Sequence, residues 1–345
     1  MADARVSGTL PAPRGPVACV GETMAAMAPA PLGPLDAARR LTLDVAGAES
    51  NVACYLADHG VSARWVSALG DDPLGRMVRE RVAAFGVDVS GVRFDPVRPT
   101  GLLFKDPGRD GTHVHYYRRD SAAAGLGPGL LAQDAVRTAG LLHLTGITAA
   151  LSPSCHDLVR AALSGTRARP VSFDVNHRAA LWTGAPEPAA DVLLSLARRA
   201  DIVFVGLDEA QNLWGTAAAE PDDVRALLPQ PAALIVKDGG RAATAYTESG
   251  RHTVPAPRVD VVEPVGAGDA FAAGYLAATV RGDHPARALR LGHLTAASAL
   301  RATSDHGPLP SPEAVEALLA ADDVAWTAAA FATPAVPSAP RGPAV

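Results

Sequence analysis

The sequence predicts an α/β fold: a mostly parallel sheet with helices on both faces, and a small β-sheet lid. Three observations carry this. Short, nearly continuous apolar runs recur along the chain, amphipathic segments separate them, and two stretches, 22–46 and 97–120, break the rhythm. Strands apolar on both faces belong to a parallel sheet buried between helix layers. The two interruptions are less helical and contain alternating segments, as small antiparallel strands do.

In chain order, PVACVGE (16–22) reads as a buried first strand and NVACYLADHG (51–60) as a helix ending at Gly60. ARWVSALG (63–70) is a strand and GRMVRERVAAFGV (75–87) a helix. The second interruption holds GLLFKD and THVHYYRR. Further strands follow at LLHLTG (141–146), PVSFDVN (170–176), DIVFVG (201–206) and AALIVKDG (232–239). SCHDLVRAALS, DVLLSLARRA and PDDVRALL supply the helices between them. Pro-, Gly- and Ala-rich ends are expected to be tails, over 1–15 and 326–345, which leaves one domain at 16–325. In an open α/β sheet, ligands sit at the carboxyl ends of the strands. A lid over that edge would close on a substrate and exclude water.

Composition narrows the classes. The chain has 345 residues, 48% hydrophobic and 19% charged, which is globular. The net charge is −5 and basic residues are not clustered, so nothing argues for nucleic acid. Lysine occurs only at Lys105 and Lys237, a bias assigned here to base composition. Cys19, Cys54 and Cys155 fit no metal-ligand spacing and are expected to be reduced thiols of a cytoplasmic protein. The N-terminus has no apolar core of a signal peptide, and no apolar run is long enough to span a bilayer.

The most informative stretch is DVVEPVGAGDAFAAGYL (260–276). Gly266, Ala267 and Gly268 form a turn that runs into Asp269 and an Ala-rich helix. Free N–H groups at a helix start make an anion site, and glycine lets backbone approach a phosphate. A carboxylate there repels phosphate, but makes sense as the base that deprotonates an attacking hydroxyl. The bland reading is an ordinary glycine turn. The chain has no GxxxxGK[ST] loop, and GxGxxG fails because Phe271 stands at the third glycine.

Four other constellations each have a bland reading too. AGAESNVACYLADHG (46–60) offers Gly47 and Asn51 at a helix start, or simply a capped helix. HYYRRDSAA (115–123) offers Tyr and Arg suited to a polyol and a carboxylate, or an exposed strand. SFDVNHRAALW (172–182) puts Asn176, His177 and Arg178 at a strand's carboxyl end, or in a self-capping loop. KDGGRAA (237–243) is a strand-to-turn that reads most simply as a hairpin. His293, in an Ala/Leu helix, reads by itself as packing, and the other histidines lack metal spacing.

Taken together and in this order, these segments resemble the ribokinase-like (PfkB) family of sugar kinases over about residues 16–325. AGAESNVACYLADHG and VVEPVGAGDAFAAGYL are the strongest marks. YYRRDSAA, LTGITAALS and DVNHRAALW are similar to segments of the family's 2-keto-3-deoxygluconate kinases. The resemblance implies a Rossmann-like α/β domain with a β-sheet lid, ATP and Mg²⁺ as cofactors, and K⁺ as a candidate third. It implies phosphorylation of the terminal primary hydroxyl of an acid sugar, and a homo-oligomer. By the same resemblance Asp269 is the base and Gly266, Ala267 and Gly268 the anion hole. Gly47, Asn51, Tyr116, Tyr117, Arg118, Arg178 and Asp305 fall on substrate positions. Asn176, Lys237, Asp238, Gly239 and His293 fall on or near the nucleotide pocket. Glu263 stands where the family usually has Asp, in a cation-site neighbourhood. Ala46, Gly206 and Ala242 are further departures. The competing readings are a kinase of a neutral sugar or nucleoside, a catalytically silent sugar sensor, and a phosphate-binding module without sugar chemistry.

Overall fold

The computed structural model describes residues 13–31, 33–108, 111–165 and 167–331. Its strands are β1 Val17–Val20, β2 Met24–Pro29, β3 Leu41–Ala46, β4 Ala63–Gly70, β5 Val92–Asp95, β6 Leu102–Gly108, β7 Gly111–Tyr117, β8 Leu141–Thr145, β9 Val171–Asp174, β10 Ile202–Gly206, β11 Ala233–Asp238, β12 Ala242–Thr247, β13 Gly250–Pro255, β14 Arg258–Val259 and β15 Ala330–Phe331. Its helices are α1 Ala48–Asp58, α2 Pro73–Ala84, α3 Asp134–Arg137, α4 Gly146–Ala150, α5 Pro153–Ala162, α6 Ala189–Ala197, α7 Leu207–Trp214, α8 Pro221–Leu227, α9 Ala267–Arg281, α10 Pro285–Leu300, α11 Pro312–Leu319 and α12 Asp323–Ala328.

Nine strands form the main sheet in the order β13-β12-β11-β10-β9-β8-β1-β4-β5. Pairing is parallel from β11 to β5 and antiparallel through β12 and β13. Alternate residues along each strand face opposite sides, and both sides are apolar. One face packs α1, α9 and α10 around Cys19, Trp65, Phe204 and Ile235. The other packs α5, α6 and α8 around Val20, Leu144, Phe173 and Val205. This two-sided burial is why the strands read as continuous apolar runs. The KDGGRAA turn is the β11–β12 hairpin, an antiparallel edge added to a parallel sheet.

β2, β3, β6 and β7 form a separate four-stranded sheet in the order β3-β2-β6-β7, and all four lie within the two stretches that broke the rhythm. Met24, Ala26, Ala46 and Leu103 make its own small core, with Val114 against it. Lys105, two residues from Leu103 and paired across from Val114, shares that inward face.

The ordered fold runs past the boundary expected at 325. α12 and β15 follow, and β15 pairs in parallel with β14. Trp326 is 1% exposed, donates Nε1–H to the Pro255 carbonyl at 2.8 Å, and lies under the Arg290 guanidinium. The Ala- and Pro-rich composition hid one large aromatic anchor. The expected tails at 1–12 and 332–345 lie outside the described residues. Among the described residues no helix is long and apolar enough to cross a membrane, and all three cysteines are buried free thiols.

Candidate active site

A cavity of about 740 Å³ lies between the small sheet and the carboxyl edge of the main sheet. Gly47, Asn51, Tyr116, Tyr117, Arg118, Arg178, Gly266, Asp269 and Asp305 all line it. These residues span more than two hundred positions, and the fold brings them to one place.

Two glycines make the close approaches. Gly47 caps α1, and a Cβ there would lie 2.3 Å from the Glu22 carbonyl oxygen. Gly266 caps α9 at φ +85°, in the left-handed region, and a Cβ would lie 2.8 Å from the Asp305 carbonyl oxygen. The first helical bond of α9 runs from the Ala270 N–H to the Gly266 carbonyl at 2.9 Å. The N–H groups of Ala267, Gly268 and Asp269 therefore stand at the positive end of a 15-residue helix. Lys237 reinforces that field. A Cβ on Gly268 would lie 3.5 Å from its Nζ.

Asp269 is held at both oxygens. Asn51 donates Nδ2–H to Oδ2 at 2.9 Å, and Asn176 donates Nδ2–H to Oδ1 at 3.2 Å. Burial, aided by the nearby charges of Asp174 and Asp305 and opposed by Asn51 and Arg178, pushes the carboxyl up to about 7. Asn176 adopts φ +38°, uncommon for a residue with a side chain, and its own N–H is tied to Asp174 at 3.2 Å. Asp174 in turn accepts from Lys237 Nζ at 2.9 Å, and burial and Asp174 lift Glu209 to about 7. Glu209 accepts from the backbone N–H groups of His177 and Gly206. Asn176 and Lys237 thus meet Asp269 and the helix start, while Asp238 pairs with Arg241 and Gly239 sits in the exposed β11–β12 turn.

Two of the expected residues are held by protein partners. His293 is buried, donates Nε2–H to the Val254 carbonyl at 3.1 Å, and meets Phe271 edge-on. Burial drives its pKa down to about 4, which favours the neutral ring. Glu263, expected near a cation, has protein donors on both oxygens: Thr112 Oγ1–H at 2.8 Å and the Val265 N–H at 3.3 Å. Among the described residues no group of three or more His, Cys, Asp or Glu is placed to hold a metal ion. That is ordinary for Mg²⁺, which takes most of its ligands from phosphate and water.

Sequence reasoning missed three residues. Glu22, 2% exposed, accepts Arg118 Nε–H and Nη2–H at 2.7 and 2.6 Å and Ser121 Oγ–H at 2.5 Å. Its signal was a carboxylate directly after an apolar strand. Lys105 donates to Asp305 Oδ1 at 2.8 Å and to the Thr303 carbonyl at 3.3 Å. Arg119 lines the cavity beside Arg118.

The family model described as pfkB family carbohydrate kinase matches residues 15–312. The chain belongs to the pfkB family of carbohydrate kinases. This pfkB kinase is 35% identical over 308 residues to a 2-dehydro-3-deoxygluconokinase of Bacillus subtilis, covering 87% of this chain and 94% of that one. It is 32% identical over 241 residues to fructokinase-2 of Zea mays, covering 69% and 71%. Among solved structures its fold matches a putative Ribokinase II from E. coli in complex with ATP and Mg²⁺, with a TM-score of 0.79 at 23% identity over 88% and 98% of the chains. The kinase is a phosphotransferase with an alcohol group as acceptor.

Proposed function

We propose that this pfkB kinase phosphorylates the terminal primary hydroxyl of 2-keto-3-deoxygluconate or a close acid sugar, with Asp269 as general base. One observation carries the reading: Asp269 sits where the cavity meets the start of α9, with both oxygens held by asparagine amides.

In this reading the sugar occupies the cavity and the phosphates lie against the α9 N-terminus and Lys237. The helix start and the lysine are an electropositive pair suited to a polyphosphate. When bound, MgATP supplies the γ-phosphoryl group and neutralises much of its charge. Asn51 and Asn176 aim the Asp269 carboxylate at the acceptor hydroxyl, and Asp269 takes its proton. The N–H groups at 267–269 and Lys237 stabilise charge on the transferred group. The small sheet covers the acceptor and excludes water. Arg118, Arg119 and Arg178 line the cavity and favour a substrate carboxylate.

A neutral-sugar kinase is the second reading. The observation that favours it is the buried Glu22, which engages the Arg118 guanidinium through two N–H groups. The fructokinase relative points the same way. Arg119 and Arg178 remain as charges that a neutral substrate does not need.

A positioned base contributes roughly 10²–10⁴ in rate. Asp269→Asn should lower kcat at least about 100-fold. It should leave the melting temperature unchanged or higher, since a buried carboxylate is removed. Turnover above roughly a tenth of wild type would exclude Asp269 as the base.

A further inference from the structure

The chain carries 31 basic Lys and Arg side chains, and only Lys105 and Lys237 are lysine. Lys105 is buried and Lys237 half-buried, and each stands against an aspartate: Lys237 on Asp174 and Lys105 on Asp305. A sequence that uses arginine almost everywhere else keeps a compact ammonium at these two places. An arginine fork is planar and longer, and replaces a point charge in a closed space only in part.

We infer that Lys105 is a positioning residue for phosphoryl transfer: from the small sheet it fixes Asp305 and, through Asn51, the carboxylate of Asp269. The contacts form one chain. Lys105 Nζ donates to Asp305 Oδ1 at 2.8 Å, with the two side chains 8% and 6% exposed. Asn51 Nδ2 donates to Asp305 Oδ2 at 3.3 Å and to Asp269 Oδ2 at 2.9 Å. One amide nitrogen thus bridges two carboxylates, and its orientation depends on both being held. Lys105 also donates to the Thr303 carbonyl at 3.3 Å, anchoring the loop whose Asp305 backbone lies under Gly266. One ammonium therefore supports both the base and the turn that opens the anion hole. It comes from the small sheet, so seating that sheet and ordering the base are a single event. Without the ammonium, Asp305 keeps a buried charge with no cation beside it, and breaking a buried pair from one side is costly.

The inference rests on the proposed role of Asp269, and the test separates the two. Wild-type turnover over a panel of sugars first identifies the acceptor, whatever it is. Lys105→Met, Lys105→Arg, Asp305→Asn and the double variant Lys105→Met/Asp305→Asn are then compared on that acceptor, with folding followed by circular dichroism. Lys105→Met should lose at least about tenfold in kcat while KM for ATP stays within about twofold, and Lys105→Arg should recover part of the loss. In the Asp305→Asn background, removing Lys105 should change kcat by less than about twofold, because Lys105 acts through Asp305. If Lys105→Met does not fold, the double variant, which buries no unpaired charge, carries the comparison with Asp305→Asn. A Lys105→Met enzyme with wild-type kcat, or an undiminished Lys105 effect in the Asp305→Asn background, overturns the inference.

Discussion

As the proposed base, Asp269 has a carboxyl tuned for chemistry near neutrality. Burial pushes it up to about 7, and the charges of Asp174 and Asp305 add to this. Arg178 and the Asn51 amide pull the other way, as does Lys237 in the same cluster. A base must be ionised to act, so kcat/KM for the acceptor should plateau above about pH 7. Below it the value should fall about tenfold per unit. A profile flat from pH 8 to pH 5 would show that Asp269 titrates elsewhere or takes no proton. GAGD and the AGAESN helix start pointed to Asp269 and Asn51, which both line the cavity, because local turn chemistry is written in adjacent residues. The partners of Asp305 and Arg118 were illegible for the opposite reason. Lys105 lies 200 positions from Asp305, and Glu22 lies 96 from Arg118. No periodicity links such pairs.

At the level of elements, two polar side chains on β6 and β7 tie the small sheet to the main domain, beside the Arg81–Asp44 pair between α2 and β3. Lys105 of β6 reaches Asp305, and Thr112 of β7 reaches Glu263 just before the α9 turn. Removing the second grip should loosen the cover of the cavity without touching the nucleotide side. Thr112→Val removes a half-buried hydrogen bond to a carboxylate, worth about 1.5 kcal/mol at the low end for a charged partner. It should lower kcat/KM for the acceptor roughly five- to tenfold, with KM for ATP within about twofold. An unchanged acceptor kcat/KM would show that this contact does not hold the sheet. The strands of the small sheet were legible as breaks in the β-α rhythm, because half-buried antiparallel strands alternate where buried parallel ones do not. Short edge strands such as β5, β14 and β15 were not, since two to four residues carry too little pattern.

Across the whole molecule, the nine-stranded sheet places β1, β9 and β11 so that their carboxyl ends, with the starts of α1 and α9, converge on one edge. That convergence was legible because each buried strand is marked by its own apolar run. The closing segment was not. Composition made 326–331 look like tail, yet Trp326 is sunk in the core against Pro255 and Arg290. In the proposed reading the acceptor is decided by the summed charge around the cavity, in which Glu22 offsets Arg118, and Arg119 and Arg178 remain in the lining. An ADP-release assay of the wild-type chain, with and without K⁺, tests this most directly. It compares 2-keto-3-deoxygluconate and its C4 epimer with fructose, ribose and adenosine. The account predicts a kcat/KM for an acid sugar at least about tenfold above every neutral one, the value of one charged hydrogen bond. Turnover of neutral acceptors alone would contradict it.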